Sequence, residues 1–146
     1  MLPLSFEFFP PKTAEQRETL EHTAQRLKPL APDYVSCTFG AGGSTLSYTY
    51  DTVVALKQHG LDVAPHLSCM GGTREEVREL LERYVALGCR RIVALRGDLP
   101  SGMADPGEFR YANELVEFIR RETGNEFILE VAAYPEWHPQ ARSARD

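Results

Sequence analysis

The feature that most restricts the fold of this chain is a regular alternation of short β-rich runs and longer helical segments. Five runs rich in β-branched and aromatic residues lie at 4–9, 34–39, 62–69, 90–97 and 128–135. Their starting points are about 28 to 38 residues apart, and one amphipathic segment separates each run from the next. This is the spacing of βα units, which form parallel sheets with right-handed crossovers. The sequence therefore predicts an α/β fold.

Helix start signals support the same organisation. Thr13 is followed three residues later by Gln16, and Thr73 by Glu76, each the spacing of a capping box. The second helix is predicted from about residue 45 to residue 60. The third helix has one apolar stripe, formed by Val77, Leu80, Leu81, Tyr84 and Val85.

The fourth helical segment follows Pro106 and is expected to stop at Gly124. Its apolar positions, which recur at helical spacing, are Phe109, Ala112, Leu115, Val116 and Ile119.

Two architectures satisfy this pattern. A doubly wound sheet of five strands would be complete in 146 residues, whereas a (βα)8 barrel needs about 250 residues, so the chain would supply only its first half. With 42% apolar and 25% charged residues the composition is that of one globular domain, and the sequence contains no linker or low-complexity run.

The net charge argues against polyanionic partners. It is −5, and the sixteen Lys and Arg residues are scattered along the chain, so we expect neither nucleic acid nor an anionic membrane as the main partner. The N-terminal segment has no basic region typical of a signal peptide, and no window approaches the roughly 18 apolar residues of a membrane span.

The three cysteines, Cys37, Cys69 and Cys89, are odd in number and form no C-x-x-C motif. A disulfide framework and a structural zinc site both fit poorly, so we expect reduced, buried thiols in a cytoplasmic protein and no bound metal. His66 and Cys69 have the spacing of half a metal site, but two core residues on one strand explain them more simply.

Polar residues follow each β-rich run at its carboxyl end, where the active sites of parallel α/β folds lie. Because five consecutive runs share the feature, we predict one common site. The residues are Glu7, Thr38, His66, Ser68, Arg96, Asp98, Tyr134, Glu136 and His138.

The segment FEFFPPK (6–12) places one carboxylate, Glu7, among three phenylalanines. Burial of an ionised carboxylate costs several kcal/mol unless a partner compensates. Glu7 is therefore a working acid or half of a structural ion pair, for example with Arg96. His66 has an alternative role as a core histidine bonded to a carbonyl. The segment GAGGS (40–44) is as compatible with an ordinary turn as with a phosphate cradle.

Five segments together resemble the methylenetetrahydrofolate reductase family in its bacterial form. They are FEFFPPK (6–12), VSCTFGAGGS (35–44), APHLSC (64–69), IVALRGDLP (92–100) and VAAYPEWHP (131–139). The order and spacing match along essentially the whole chain, which is similar to the N-terminal half of the catalytic barrel. The resemblance implies a (βα)8 TIM barrel of which residues 1–146 form about the first five strands and four helices, within one FAD-binding domain.

The resemblance also implies an activity, that of an oxidoreductase acting on a CH–NH donor. NADH or NADPH reduces FAD and leaves, and 5,10-methylenetetrahydrofolate then binds in the same place and is reduced to 5-methyltetrahydrofolate, the methyl donor for methionine biosynthesis. Glu7 matches the general acid, kept protonated by its apolar surroundings, and Asp98 matches the acidic residue beside the flavin and the pterin. These two would also contact the substrate. The positions that match FAD contacts are Thr38, Phe39, Ala41, His66, Arg96, Gly97, Asp98, Ala112, Tyr134, His138 and Ala141.

The last three strands of such a barrel are missing from this sequence. An open half-barrel would expose two sheet edges and an apolar inner face. We therefore expect an intact gene product roughly twice this long, a homo-oligomer that favours NADH. The alternatives are an inactive fragment that completes a barrel with a partner chain, and a flavin-independent lyase or aldolase that uses Glu7 and His66.

Overall fold

The computed structural model describes residues 3–39, 45–69, 72–97 and 107–134. The five strands are β1 (Ser5–Phe8), β2 (Tyr34–Cys37), β3 (Val63–Ser68), β4 (Arg91–Leu95) and β5 (Ile128–Val131). The four helices are α1 (Ala14–Leu27), α2 (Thr45–Gln58), α3 (Arg74–Ala86) and α4 (Ala112–Thr123), and a short 3₁₀ helix, Lys28–Leu30, follows α1. The predicted α/β class is confirmed. None of the described helices is long and apolar enough to cross a membrane.

The strands form one parallel sheet in the order β1-β2-β3-β4-β5. Each strand pairs with the next one in sequence, as in Glu7 beside Ser36 and His66 beside Val93. A doubly wound sheet contains a point where the strand order reverses, and no such point occurs in the described sheet. The order is that of consecutive units around a barrel, so the architecture is a partial (βα)8 barrel.

The predicted start signals of α1 and α3 are confirmed. The hydroxyl of Thr13 accepts a hydrogen bond from the backbone N–H of Gln16 at 3.2 Å. At α3 the capping box is complete, because the backbone N–H of Thr73 also donates to the Glu76 carboxylate at 2.8 Å. This bond lowers the pKa of Glu76 below its usual value.

The fourth helix begins later than its apolar pattern indicates. It starts at Ala112, because the Glu114 carboxylate accepts the backbone N–H of Arg110 at 2.6 Å and holds the preceding residues outside the helix. Phe109 therefore lies before α4, but it is fully buried against Phe118 and still contributes to the core as predicted. In the predicted stripe of α3, Val85 is 39% exposed and lies at the edge of the packed face.

The two faces of the sheet have different roles. Side chains such as Phe8, Val35 and Ile92 point towards the helices and form the main hydrophobic core with them. Residues at alternate positions, such as Glu7, Ser36 and His66, point to the opposite, concave face. The sheet thus separates a packed outer layer from an inner surface that can hold a site.

Two lysines link consecutive βα units at the opposite end of the sheet from the predicted site. Lys28 donates to the carbonyl oxygen of His59 at 2.8 Å, and Lys57 donates to that of Gly88 at 3.0 Å. Both acceptors lie at helix-to-strand turns, where Gly60 and Gly88 have positive φ angles of 75° and 71°. Each unit is thereby fixed to the helix-to-strand turn of the next.

Tyr84, on α3, is the one buried side chain among the described residues whose polar atom lacks a hydrogen-bond partner. It is fully buried, and its ring stacks on that of Tyr50 with 6.0 Å between centroids. Burial raises the pKa of its hydroxyl well above the usual value. The hydroxyl group is therefore desolvated without a compensating bond.

We expect Tyr84→Phe to leave the free energy of unfolding unchanged or to raise it by up to about 1 kcal/mol, because the substitution removes an uncompensated polar group. Urea denaturation followed by circular dichroism measures this difference.

The matched control is Tyr34→Phe, which removes the same hydroxyl group from a residue on β2. The hydroxyl of Tyr34 donates to the Glu130 carboxylate at 2.8 Å. Its loss should cost about 1 to 2 kcal/mol, since a charge-assisted hydrogen bond disappears. Equal losses in both variants would show that the Tyr84 hydroxyl has a partner.

Candidate functional site

Hydrogen bonds join the carboxyl ends of neighbouring strands in two pairs. Between β1 and β2, the backbone N–H of Thr38 donates to the carbonyl oxygen of Phe8 at 2.9 Å. Between β3 and β4, the Ser68 hydroxyl donates to the carbonyl oxygen of Arg96 at 3.1 Å. Thr49 of α2 also donates to the carbonyl of Thr38, at 3.2 Å. The residues that follow these strands are thus held at one edge of the sheet.

This edge carries those residues matched to FAD contacts that the structure describes. Thr38 and Phe39 follow β2 and are half-buried, whereas Tyr134 follows β5 and is 58% exposed. Arg96 and Gly97 follow β4, and Gly97 has a positive φ of 75° that suits glycine. The first residue of α4 is Ala112, which the sequence also places at this edge.

Four of the predicted site residues lie outside the described part of the chain: Ala41, Asp98, His138 and Ala141. The same holds for Glu136 and for the whole GAGGS segment (40–44). Their roles remain those that the resemblance implies.

Glu7 and His66 meet on the concave face. Glu7 pairs with Ser36, which pairs with Ala64, and His66 lies two residues further along β3 on the same face. The Oε2 atom of Glu7 is 3.4 Å from the Nε2 atom of His66. A residue from the first strand and one from the third therefore form a carboxylate–imidazole pair across β2.

The environment of Glu7 differs from the prediction. Phe6 and Phe8 point to the other face of the strand, and Phe9 is 70% exposed, so the phenylalanines do not enclose the carboxyl group. The Glu7 side chain is 49% exposed on the open inner surface. The expectation of a dry carboxyl group is wrong for this part of the barrel, because strand alternation places Glu7 and its two neighbours on opposite faces.

The expected pairing of Glu7 with Arg96 is also wrong. Glu7 contacts His66, and the Nε atom of Arg96 donates to the carbonyl oxygen of Arg110 at 3.3 Å. This bond ties the residue after β4 to the segment that leads into α4. The Nε2 atom of His66 faces the Glu7 carboxylate and not a carbonyl oxygen.

His66 is the more buried member of the pair, with 11% of its side chain exposed. Burial lowers its pKa below the ordinary value, and the negative charges of Glu7 and Glu130 oppose this shift. Burial thus favours the neutral imidazole, while the adjacent carboxylate favours the protonated form.

A second polar cluster on the inner face was not predicted. Tyr34 donates to Oε2 of Glu130 at 2.8 Å, and Arg91 donates to Oε1 of the same carboxylate at 3.1 Å. The Arg91 guanidinium also lies 4.8 Å from the centroid of the Tyr34 ring. The hydrogen bond to Glu130 raises the pKa of Tyr34. The alternation of inward and outward positions along each strand could have predicted this cluster, since Tyr34 and Glu130 both fall on inward-facing positions.

These residues correct the prediction of an apolar inner face. They border a cavity of about 400 Å³ that also contains apolar walls from Val93 and Leu95. Its polar lining consists of Ser5, Glu7, Tyr34, Ser36, His66 and Glu130. The described inner face therefore offers a carboxyl group and an imidazole for proton transfer, surrounded by hydrogen-bonding groups.

The cysteines lie elsewhere. All three are buried and free. Burial raises the pKa of Cys37 to about 12 and that of Cys89 to about 11, so the thiols stay protonated. Cys69 belongs to the hydrophobic core, whereas His66 faces the inner surface, so the two do not share a metal site. No group of potential metal ligands occurs in the described segments.

The donor set at the carboxyl edge fits a large ligand with an aromatic ring system and a diphosphate. Arg96 supplies a guanidinium group, Phe39 and Tyr134 supply aromatic surface, and Gly97 allows close approach to the backbone. These groups are compatible with FAD.

Parallel βα units in sequential order, with polar groups at the carboxyl ends of the strands, define a protein of the (βα)8-barrel class. Comparison with known proteins identifies it further: the family model for methylenetetrahydrofolate reductase matches residues 2–146. The chain belongs to the methylenetetrahydrofolate reductase family, as its motifs indicated.

Relatives from bacteria and plants agree with this assignment. The chain is 44% identical to 5,10-methylenetetrahydrofolate reductase of Salmonella typhimurium over 97% of its own length and 47% of that protein. It is 43% identical to the Escherichia coli reductase over the same shares. Identity to methylenetetrahydrofolate reductase (NADH) 1 of Zea mays is 37%, over 94% of this chain and 24% of the relative. The chain thus spans about half the length of its bacterial relatives.

The lowered pKa of His66 predicts a pH-dependent contribution to stability. A histidine whose pKa falls on folding binds fewer protons in the folded state, so the stability it supports is complete above its unfolded pKa of about 6.5 and declines as pH falls below it. We expect the free energy of unfolding of the wild type, relative to His66→Gln, to decrease from about pH 7 to pH 5. Urea denaturation at several pH values tests this, and a pH-independent difference would contradict it.

Proposed function

We propose that this chain is the N-terminal part of a flavin-dependent methylenetetrahydrofolate reductase and that residues 1–146 belong to one FAD-binding barrel domain. The supporting observation is the convergence of Glu7 and His66 on the inner face, next to the carboxyl edge that carries Arg96. In the proposed reaction, NADH or NADPH is the reductant and 5,10-methylenetetrahydrofolate is the substrate. The product, 5-methyltetrahydrofolate, supplies methyl groups for methionine biosynthesis.

Glu7 supplies the proton in this scheme. Opening the five-membered ring of the folate requires protonation of the departing nitrogen, which leaves an electrophilic carbon that accepts a hydride. The carboxyl group of Glu7 projects into the inner cavity, where a substrate placed over the carboxyl edge could meet it. Because the carboxyl group is 49% exposed in this half of the barrel, its desolvation would depend on the bound ligands and on the rest of the barrel.

FAD, when bound, would supply the hydride that reduces the folate. Arg96 would contact its diphosphate with a forked set of N–H donors, and Phe39 and Tyr134 would pack against its rings. The described part of the proposed FAD-binding surface also includes Thr38, His66, Gly97 and Ala112. The remaining residues proposed to contact FAD are Ala41, Asp98, His138 and Ala141. Asp98 would place a negative charge beside the cationic form of the folate.

The last strand of the described sheet has an open edge. Ile128 and Val131 are 52% and 59% exposed, although the central strands β2 and β3 are largely buried. An exposed edge with apolar side chains requires a cover. We propose that the C-terminal half of the barrel covers it in the full-length protein, which we expect to be a cytoplasmic homo-oligomer. The alternative is that a second chain covers this edge and that this chain is catalytically inactive by itself.

The visible spectrum of the purified full-length protein tests the cofactor. We expect flavin absorbance that bleaches on anaerobic addition of NADH and returns on addition of the folate substrate. Intact mass, measured on the same sample, distinguishes a 16.4 kDa chain from a longer product. A colourless full-length protein that processes no folate would contradict the proposal and favour a silent fragment, whereas a colourless protein with lyase activity would favour the flavin-independent barrel.

Glu7→Gln tests the acid role. The variant should retain flavin reduction by NADH within about twofold while folate reduction falls by a factor of about 100 or more, because only the second step needs the carboxyl proton. Anaerobic stopped-flow absorbance separates the two steps.

Glu126→Gln is the matched control for this substitution. Glu126 carries the same charge but forms an ion pair with Arg90, outside the inner cavity. It should leave both steps unchanged. An equal decline of both steps in Glu7→Gln would refute the acid role.

A further inference from the structure

Glu7 and His66 contact each other on the inner face of the sheet. Their Oε2 and Nε2 atoms are 3.4 Å apart, which is within ion-pair distance. The imidazole is held in the sheet with 11% of its side chain exposed, whereas the carboxyl group is 49% exposed. The fixed member of the pair is therefore His66, and the member that can reach a ligand is Glu7.

Strand pairing fixes this arrangement. Ser36, 8% exposed, lies between the two strands and pairs with Glu7 on one side and with Ala64 on the other. The small side chains of Ser36 and Ala64 leave room for the imidazole of His66 to reach across β2 towards β1. A larger residue at either position would fill that space.

We propose that His66 is a positioning residue for Glu7 and holds its carboxyl group in place for the acid step. The inference rests on the proposed function and adds a residue role to it. In the step itself the O–H bond of the Glu7 carboxyl group breaks and an N–H bond forms on the departing folate nitrogen. A proton from solvent then restores the pair before the next turnover.

The groups around His66 leave Glu7 as its direct partner. Among the described residues, the titratable and charged groups of the inner face around His66 are Glu7 from β1, Tyr34 from β2, Arg91 from β4 and Glu130 from β5. Arg91 and Tyr34 are bound to Glu130, which leaves Glu7 as the carboxylate in direct contact with the imidazole.

The decisive experiment compares wild type and His66→Gln in the full-length holoenzyme. Glutamine retains an amide N–H that can contact Glu7, but it cannot bind a proton. We expect folate reduction to fall by a factor at least about ten times larger than the fall in flavin reduction by NADH, since only the folate step uses the carboxyl group that His66 positions.

The ratio of the two rates separates the positioning of Glu7 from a merely structural role. If His66 only supports the local packing or the bound flavin, His66→Gln lowers both rates by the same factor, and the proposal is overturned. If the wild type itself binds no flavin or reduces no folate, the proposed function fails instead.

Nuclear magnetic resonance provides a readout that does not depend on activity. In the full-length protein we expect the titration midpoint of the His66 ring nitrogens to move to lower pH in Glu7→Gln, because a negative charge that favours the imidazolium is removed. Glu126→Gln, which removes an equal charge outside the cavity, should leave the midpoint in place. An unchanged midpoint in Glu7→Gln overturns the proposal, and this test decides the matter even if His66→Gln fails to fold.

Discussion

Each strand of the sheet pairs in parallel with the strand that follows it in sequence, and this pairing decides which side chains can meet. In parallel strands, neighbouring residues in register point to the same face. Because Glu7, Ser36 and Ala64 are in register, their side chains on β1, β2 and β3 all point inward. Helices can cover only the other face, because each crossover returns the chain in the same sense. The inner surface and its polar groups are consequences of that regular pairing.

The inner face combines two kinds of polar contact with different physical roles. Glu130, on β5, receives hydrogen bonds from both Tyr34 and Arg91, so its charge is compensated. Glu7, on β1, contacts a single, largely buried imidazole and remains accessible. A compensated carboxylate stabilises the sheet, whereas an accessible one beside a titratable group can exchange a proton. The two inward-facing glutamates thus differ in their surroundings despite their common chemistry.

The open edge of β5 bears on how much of a barrel this chain forms. Exposed Ile128 and Val131 lie where a sixth βα unit of a barrel would pack, and the bacterial relatives are about twice as long as this chain. A site at the carboxyl edge of a barrel takes residues from many strands, so half of a barrel offers half of the contacts. The proposed activity is accordingly that of the full-length protein, with Glu7 and His66 on the wall supplied by this chain.

The sequence alone determined the βα repeat, the family, the capping box at Thr73 and the helix start at Thr13. These depend on local periodicity and on short motifs, which the linear order of residues expresses directly. The tertiary structure decided which partners meet. It paired Glu7 with His66 and not with Arg96, and it turned Glu7 away from its phenylalanine neighbours. It also brought Tyr34 to Glu130 across 96 residues of sequence. Such contacts depend on strand register and on the facing direction of each side chain, which only the assembled sheet defines.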